Sequence, residues 1–104
     1  MAAVWDSWQS EEGDIIQSCC LVTTSANLFM SQIHDRMPVL LSKERQRVWM
    51  DNSHCQVDVL QNLLNPYERN DLIGFPVTSK MNNARFNSPE AIVPIVGTSK
   101  DIFN

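Results

Sequence analysis

The chain has 104 residues, of which 43% are hydrophobic, and its 12 acidic side chains outnumber 8 lysines and arginines to give a net charge of −4. That is enough for one small domain with a core, and 3 glycines and 5 prolines are too few for a disordered chain. The acidic balance argues against a dedicated nucleic-acid binder, which shows an excess of cations, but leaves room for a local patch of Arg36, Lys80 and Arg85 away from Glu11, Glu12 and Asp14.

Taken in chain order, Ala2 to Trp5 reads as an apolar strand, Gln9 to Gly13 as a turn and Ile15 to Thr24 as a second strand rich in β-branched residues. The two are expected to form a hairpin. Ser25 to Ile33 reads as a short helix, with Ser25 at the N-cap and Leu28, Phe29, Gln32 and Ile33 on one face. Met37 to Leu41 follows as a buried strand. Ser42 caps a helix running to about Met50, with Val48 and Trp49 as its apolar contribution and Glu44, Arg45 and Arg47 as a solvated face. Asn52 or Ser53 caps a further helix with a stripe of Val57, Leu60, Leu63 and Leu64, stopped by Asn65-Pro66. Leu72 to Thr78 reads as a strand in which Pro76 marks an edge or a bulge, Met81 to Ile95 as an ordered loop with a short apolar piece, and residues 96–104 as a frayed tail. The expected fold class is α+β, a mixed, mainly antiparallel sheet with short flanking helices, with residues 1–95 as the domain.

No apolar run approaches the roughly 20 residues that span a bilayer, and no basic region followed by an apolar stretch opens the chain. A soluble, intracellular protein without a membrane partner is expected. Cys19, Cys20 and Cys55 are an odd number without metal-ligand spacing, and His54-Cys55 is half a zinc site with no second pair, so neither metal nor cofactor is expected. Neighbours on a strand face opposite ways, which puts one of Cys19 and Cys20 in the core, with the thiols reduced. Trp5 and Trp8 either pack in the core or stack on unpaired bases, and their place on the opening strand favours packing. A strand beginning so near the first residue calls for partner strands that this chain does not supply. The chain therefore reads as a fragment whose sheet has an open edge.

The most informative segment is Ile33-His34-Asp35-Arg36-Met37-Pro38-Val39-Leu40-Leu41. It sets an imidazole, a carboxylate and a guanidinium directly before a proline and an apolar run. His34 at the end of the expected helix would sit where the macrodipole favours a protonated ring, with Arg36 facing the adjoining groove. Without further context His34 reads as a surface histidine and Arg36 as half of an ion pair with Asp35. Asn82, Asn83 and Arg85 read either as the lining of a nucleic-acid groove or as ordinary turn chemistry.

Four stretches occur in a recognisable order and spacing: Ala2-Ala3-Val4-Trp5-Asp6-Ser7-Trp8, Leu21-Val22-Thr23-Thr24-Ser25-Ala26-Asn27, Ile33 to Leu40, and Val77-Thr78-Ser79-Lys80-Met81-Asn82-Asn83-Ala84-Arg85 with Ser88-Pro89-Glu90. Together they resemble the C-terminal half of the SOS-response-associated peptidase (SRAP) family, the abasic-site processing proteins that sense damage in single-stranded DNA. The resemblance implies a partial SRAP-type domain. It also implies a covalent mechanism, in which a cysteine exposed by methionine removal captures the ring-opened abasic sugar as a thiazolidine and is linked to autoproteolytic release of the starting residues. An amine and a thiol on one residue suit an aldehyde, and sugar opening and closing need an acid–base group near neutral pH. Carried over by position, His34 matches the family's catalytic histidine and Arg36 a phosphate contact, while Asn82, Asn83 and Arg85 are candidate DNA contacts.

Residue 2 is Ala2, and Cys19, Cys20 and Cys55 do not stand in the nucleophile's place. The family's catalytic glutamate and asparagine fall in segments before this sequence, and Asp6 reads as a turn or strand-end carboxylate rather than as that glutamate. Two functions follow. One is part of a Cys-dependent abasic-site crosslinking enzyme with peptidase and lyase chemistry, inactive alone, whose partners are single-stranded DNA with abasic sites and an N-terminal half of the same domain. The other is a catalytically silent DNA- or protein-binding remnant. The expected location is the nucleus in a eukaryote, or the cytoplasm and nucleoid in a bacterium.

Overall fold

In the computed structural model, which describes residues 1–53 and 56–95, the chain divides into two compact units, Met1–Arg69 and Asn70–Asn104. The His54-Cys55 pair and the 96–104 tail lie outside the described residues. In the first unit, β1 (Ala3–Gln9) pairs antiparallel with β2 (Ile15–Leu21), Trp5 opposite Cys19 and Trp8 opposite Ile16. The hairpin expected from the apolar runs is present. Its turn is closed by Ser10 N–H to Asp14 O at 2.8 Å and Gly13 N–H to Ser10 O at 3.0 Å. Gly13 has φ of +90°, a conformation that glycine adopts without a Cβ clash.

A second two-stranded sheet pairs β3 (Thr23–Ser25) antiparallel with β4 (Arg36–Pro38), Thr24 opposite Met37 and Ser25 opposite Arg36. The two hairpins meet at three residues. Ala2 N–H donates to Val39 O at 2.8 Å, Val39 N–H to Val22 O at 3.0 Å, and Val22 N–H to Ala2 O at 3.0 Å. Ala2 and Val39 are fully buried, Met37 is 2% exposed, and Val22, Trp49, Leu63 and Leu64 pack on the cluster of Ala2, Val39 and Leu41. This small core lies at the foot of both sheets. The indole of Trp49 ties α1 (Lys43–Met50) to it by donating to Ala3 O at 3.0 Å. As the sequence indicated, Ser42 caps α1, its hydroxyl accepting from Arg45 N–H at 3.3 Å.

Other elements differ from expectation for local reasons. The second strand breaks at Val22, because that residue's backbone serves the junction rather than the β1 ladder alone. The helix expected from Ser25 to Ile33 is a single 3-10 turn, Met30–Gln32: Ser25 is held in β3, and Asn27 rather than Ser25 accepts from Met30 N–H, at 2.9 Å. The strand expected at Met37 starts at Arg36 and ends at Pro38, so Val39 and Leu41 enter the core from extended chain. The second helix, α2 (Val57–Gln61), has Gln56 as its N-cap and no side-chain cap, because the Ser53 hydroxyl turns back to Asp51. Its expected stripe is split, since Leu63 and Leu64 reach the core from beyond the helix end.

In the second unit, Leu72 to Thr78 forms no strand; no neighbouring strand pairs with it among the described residues, and Pro76 lacks a ladder donor. Two 3-10 turns follow, Ser79–Asn82 capped by Thr78 and Pro89–Ile92 capped by Ser88. Both Cys19 and Cys20 are exposed, where one was expected in the core. Trp5 and Trp8, expected to pack, are 72% and 53% exposed. The reason is common to all four: among the described residues the hairpin is one layer thick, so neither face is covered.

The core makes a direct prediction. Met37→Ala lowers unfolding free energy by about 2–5 kcal/mol in urea titrations, whereas truncating the exposed Leu28 changes it by less than about 0.5 kcal/mol.

Candidate functional site

The charged segment sits at the corner where the 3-10 turn Met30–Gln32 enters β4. His34 N–H donates to Met30 O at 2.9 Å, and Asp35 O accepts Ala26 N–H at 2.9 Å, so the backbone on both sides of the imidazole is fixed. Asn27 braces the turn: its amide donates to Tyr67 O at 2.8 Å while its carbonyl oxygen accepts from Met30 N–H. Thr24 Oγ1 adds a bond to Leu64 O at 3.4 Å. The corner is thereby fastened to the segment after α2.

On this frame His34 is open to solvent, its side chain 66% exposed. Its Nδ1 lies 3.0 Å from Arg36 N and 3.0 Å from Asp35 Oδ1. One nitrogen cannot serve both at once. Arg36 N–H can only donate, so it needs an unprotonated Nδ1, while the Asp35 carboxylate needs Nδ1–H. With Nδ1 accepting the Arg36 amide the ring proton is on Nε2; with a proton on Nδ1 that nitrogen donates to Asp35 instead. An exposed imidazole whose Nδ1 can either accept from a fixed amide or donate to a carboxylate has the groups that acid–base work uses. The expected macrodipole effect does not apply, because one 3-10 turn is not a helix with a developed dipole.

Arg36 is exposed and its Nη2 donates to Thr23 O at 2.8 Å and Thr23 Oγ1 at 3.0 Å. Thr23 thus holds one arm of the guanidinium across the β3–β4 pair. Asp35 turns to His34, which accounts for the charges differently from the ion pair with Arg36 that adjacency suggested. Sequence reasoning missed Thr23 and Asn27. The signal for Asn27 was its spacing three residues before Met30, which suits an Asn side chain accepting from a turn N–H. Thr23 is visible only through strand register.

Asn82, Asn83 and Arg85 lie in the second unit, all exposed. Asn83 Oδ1 accepts Arg85 N–H at 3.0 Å and Asn83 O accepts Phe86 N–H at 2.9 Å, so Asn83 closes a turn that presents Arg85. Lys80 Nζ is 3.8 Å from Glu90. Glu11, Glu12 and Asp14 sit at the tip of the β1–β2 hairpin, in the first unit with Arg36. Among the described residues no group of three or more His, Cys, Asp and Glu is placed to hold a metal ion, and no helix is long and apolar enough to cross a membrane.

The sequence profile of the SOS response associated peptidase (SRAP) family matches residues 1–84. The chain is 38% identical over 91 residues to the abasic site processing protein YoqW of Bacillus subtilis, a match covering 88% of this chain and 41% of the relative. It is 32% identical over 102 residues to the abasic site processing protein HMCES of Xenopus tropicalis, covering 96% of this chain and 30% of that protein. A crystal structure of a Bacteroides thetaiotaomicron protein superposes with a TM-score of 0.78 at 20% identity, over 92% of this chain and 43% of that one, and supports the α+β fold. The chain thus spans about two-fifths or less of the curated relatives it matches.

The bond from Arg36 N–H to Nδ1 makes a prediction about the tautomer. Nitrogen-15 shifts of the neutral ring show Nε2 protonated and Nδ1 bare; a neutral ring carrying its proton on Nδ1 contradicts the bond from Arg36 N–H.

Proposed function

Because the chain belongs to the SOS response associated peptidase (SRAP) family, we propose that it is the histidine-bearing part of an abasic-site processing domain that binds single-stranded DNA. Arg36 contacts a backbone phosphate with the guanidinium donors that Thr23 leaves available, while Asn82, Asn83 and Arg85 add DNA contacts from the second unit. His34 moves protons as the abasic sugar opens to its aldehyde and closes again. What carries this reading is the exposed imidazole, oriented by the Arg36 amide, with the exposed guanidinium two residues along.

The covalent step needs no oxidant. An N-terminal cysteine amine condenses with the sugar aldehyde and releases water, and its thiol then adds across the resulting C=N bond to close a thiazolidine. The same cysteine carries the linked autopeptidase activity. This chain's residue 2 supplies no thiol: Ala2 is a fully buried methyl whose N–H is bonded to Val39 O. The cysteine, glutamate and asparagine belong to a part of the family domain beyond these residues, and the chain alone is inactive in crosslinking. The second reading is a catalytically silent DNA- or protein-binding remnant of the domain, which binds without crosslinking whatever is added. The protein acts where damaged DNA is found, inside the cell.

A denaturing gel with single-stranded DNA bearing one abasic site tests this. The chain alone is expected to retard DNA only under native conditions, and a heat-stable band appears when a cysteine-bearing N-terminal half is supplied. His34→Ala then slows band formation or reversal by about a hundredfold or more. A heat-stable band from the chain alone, or unchanged rates in the His34 variant, contradicts the assignment. Separately, Arg36→Ala reduces the slope of log affinity against log salt by about 0.7, the contribution of one single-strand phosphate contact.

A further inference from the structure

Asn27 uses all four of its polar atoms. Its N–H donates to Met37 Sδ at 3.4 Å and its carbonyl oxygen accepts Ser31 N–H at 2.8 Å. In the side chain, Oδ1 accepts Met30 N–H at 2.9 Å and Nδ2 donates to Tyr67 O at 2.8 Å. The backbone bond ties the residue to Met37, which is buried, and the amide bond to Tyr67 spans 40 residues of chain within the first unit. Met30 passes the constraint on: Asn27 holds its N–H, and its carbonyl oxygen accepts the N–H groups of Ile33 and His34, both at 2.9 Å.

The turn between Asn27 and His34 has little packing of its own. Met30–Gln32 is one 3-10 turn without a buried residue, and Leu28 and Ile33 on either side of it are exposed. So short a helix is not stable alone and takes its position from its attachments. The Asp35 carbonyl and β4 fix the chain after His34. Before His34, the Nδ2 bond to Tyr67 O reaches a segment distant in sequence, and it is shorter than the neighbouring Thr24 Oγ1 bond to Leu64 O at 3.4 Å. An amide suits this place because it sets a donor and an acceptor on one plane. A carboxylate of the same shape turns an oxygen toward the Tyr67 carbonyl, and a hydroxyl can close the turn on Met30 N–H but is too short to reach Tyr67.

We infer that Asn27 is a positioning residue for His34: its amide bond to Tyr67 O sets where the imidazole stands, so that the segment after α2 governs proton transfer at the ring. It acts through Met30, and its part in the reaction rests on the reading of His34 as the acid–base group.

The test compares Asn27→Asp and Asn27→Ser, which both keep an acceptor for Met30 N–H and lose the donor to Tyr67, with Ser31→Ala. The last removes the bond of the Ser31 hydroxyl to Leu28 O at 2.8 Å, which stays inside the same turn. In the isolated nitrogen-15-labelled chain both Asn27 variants are expected to shift the His34 ring signals and to speed exchange of the Arg36 amide by about tenfold, while Ser31→Ala moves neither. With the cysteine-bearing N-terminal half supplied, the Asn27 variants form the heat-stable band about tenfold to a hundredfold more slowly at unchanged DNA affinity. Four results overturn the inference: His34 and Arg36 signals unmoved in both Asn27 variants, an equal effect from Ser31→Ala, a loss of affinity in place of rate, or loss of the fold in both Asn27 variants by circular dichroism. Should one Asn27 variant alone fail to fold, the other decides. If His34→Ala leaves the rate unchanged, the proposed function falls, and the signals of the isolated chain still decide whether Asn27 sets the ring.

Discussion

Three backbone hydrogen bonds around Ala2, Val22 and Val39 hold both sheets of the first unit at one buried point. Each is worth only about 1 kcal/mol net, but leaving such a group unpaired once buried costs about 1–3 kcal/mol, so the three stand or fall together with the packing. That packing is small: Ala2, Val39 and Leu41, with Val22, Trp49, Leu63 and Leu64 around the rim. Everything else in this unit is attached to that point, either through a strand that leaves it or through a side chain that reaches back.

The candidate site depends on the same point at one remove. Val39 anchors the end of the segment in which Arg36 and Met37 pair with β3, and Val22 anchors the other strand just before Thr23, the residue that holds the Arg36 guanidinium. The imidazole stands out from this frame without being buried by it. A proton-handling group that must reach a sugar benefits from such an arrangement, because the rigidity comes from backbone bonds and the ring stays accessible. The hairpin on the other side of the junction is equally well anchored at its foot, and beyond that it is bare. One end of the unit thus carries the polar groups at His34 to Arg36, while the hairpin at the other presents exposed apolar side chains.

What was legible in the sequence was local. The turn ending at Gly13 with the apolar runs on either side specified the hairpin, and Ser42 three residues before Arg45 specified the start of α1. The errors came where a partner distant in sequence decided the outcome. Ser25 is a good helix cap by type, but strand pairing with Arg36 claimed it. Leu72 to Thr78 has strand composition, yet pairing requires a neighbour, and none is present among the described residues. Trp5 and Trp8 were expected to pack, and one of Cys19 and Cys20 to be buried, because a strand normally has a covered face, and among the described residues neither face is covered. At the site, the acid–base and phosphate roles of His34 and Arg36 were implied by the family resemblance rather than by residue type, and which bonds they make could not be read: adjacency suggested Asp35 with Arg36, whereas geometry pairs Asp35 with His34 and Arg36 with Thr23.

On the function proposed above, the corner formed by His34, Asp35 and Arg36 is the surface that meets DNA. It is tested most directly by titrating nitrogen-15-labelled chain with single-stranded DNA carrying a stable abasic analogue and following the amide signals. The largest changes are expected at His34, Asp35, Arg36 and Thr23, with smaller ones near Arg85 and almost none at the acidic hairpin tip around Glu11 and Glu12. Changes that leave residues 34 to 36 unmoved while others shift would contradict it.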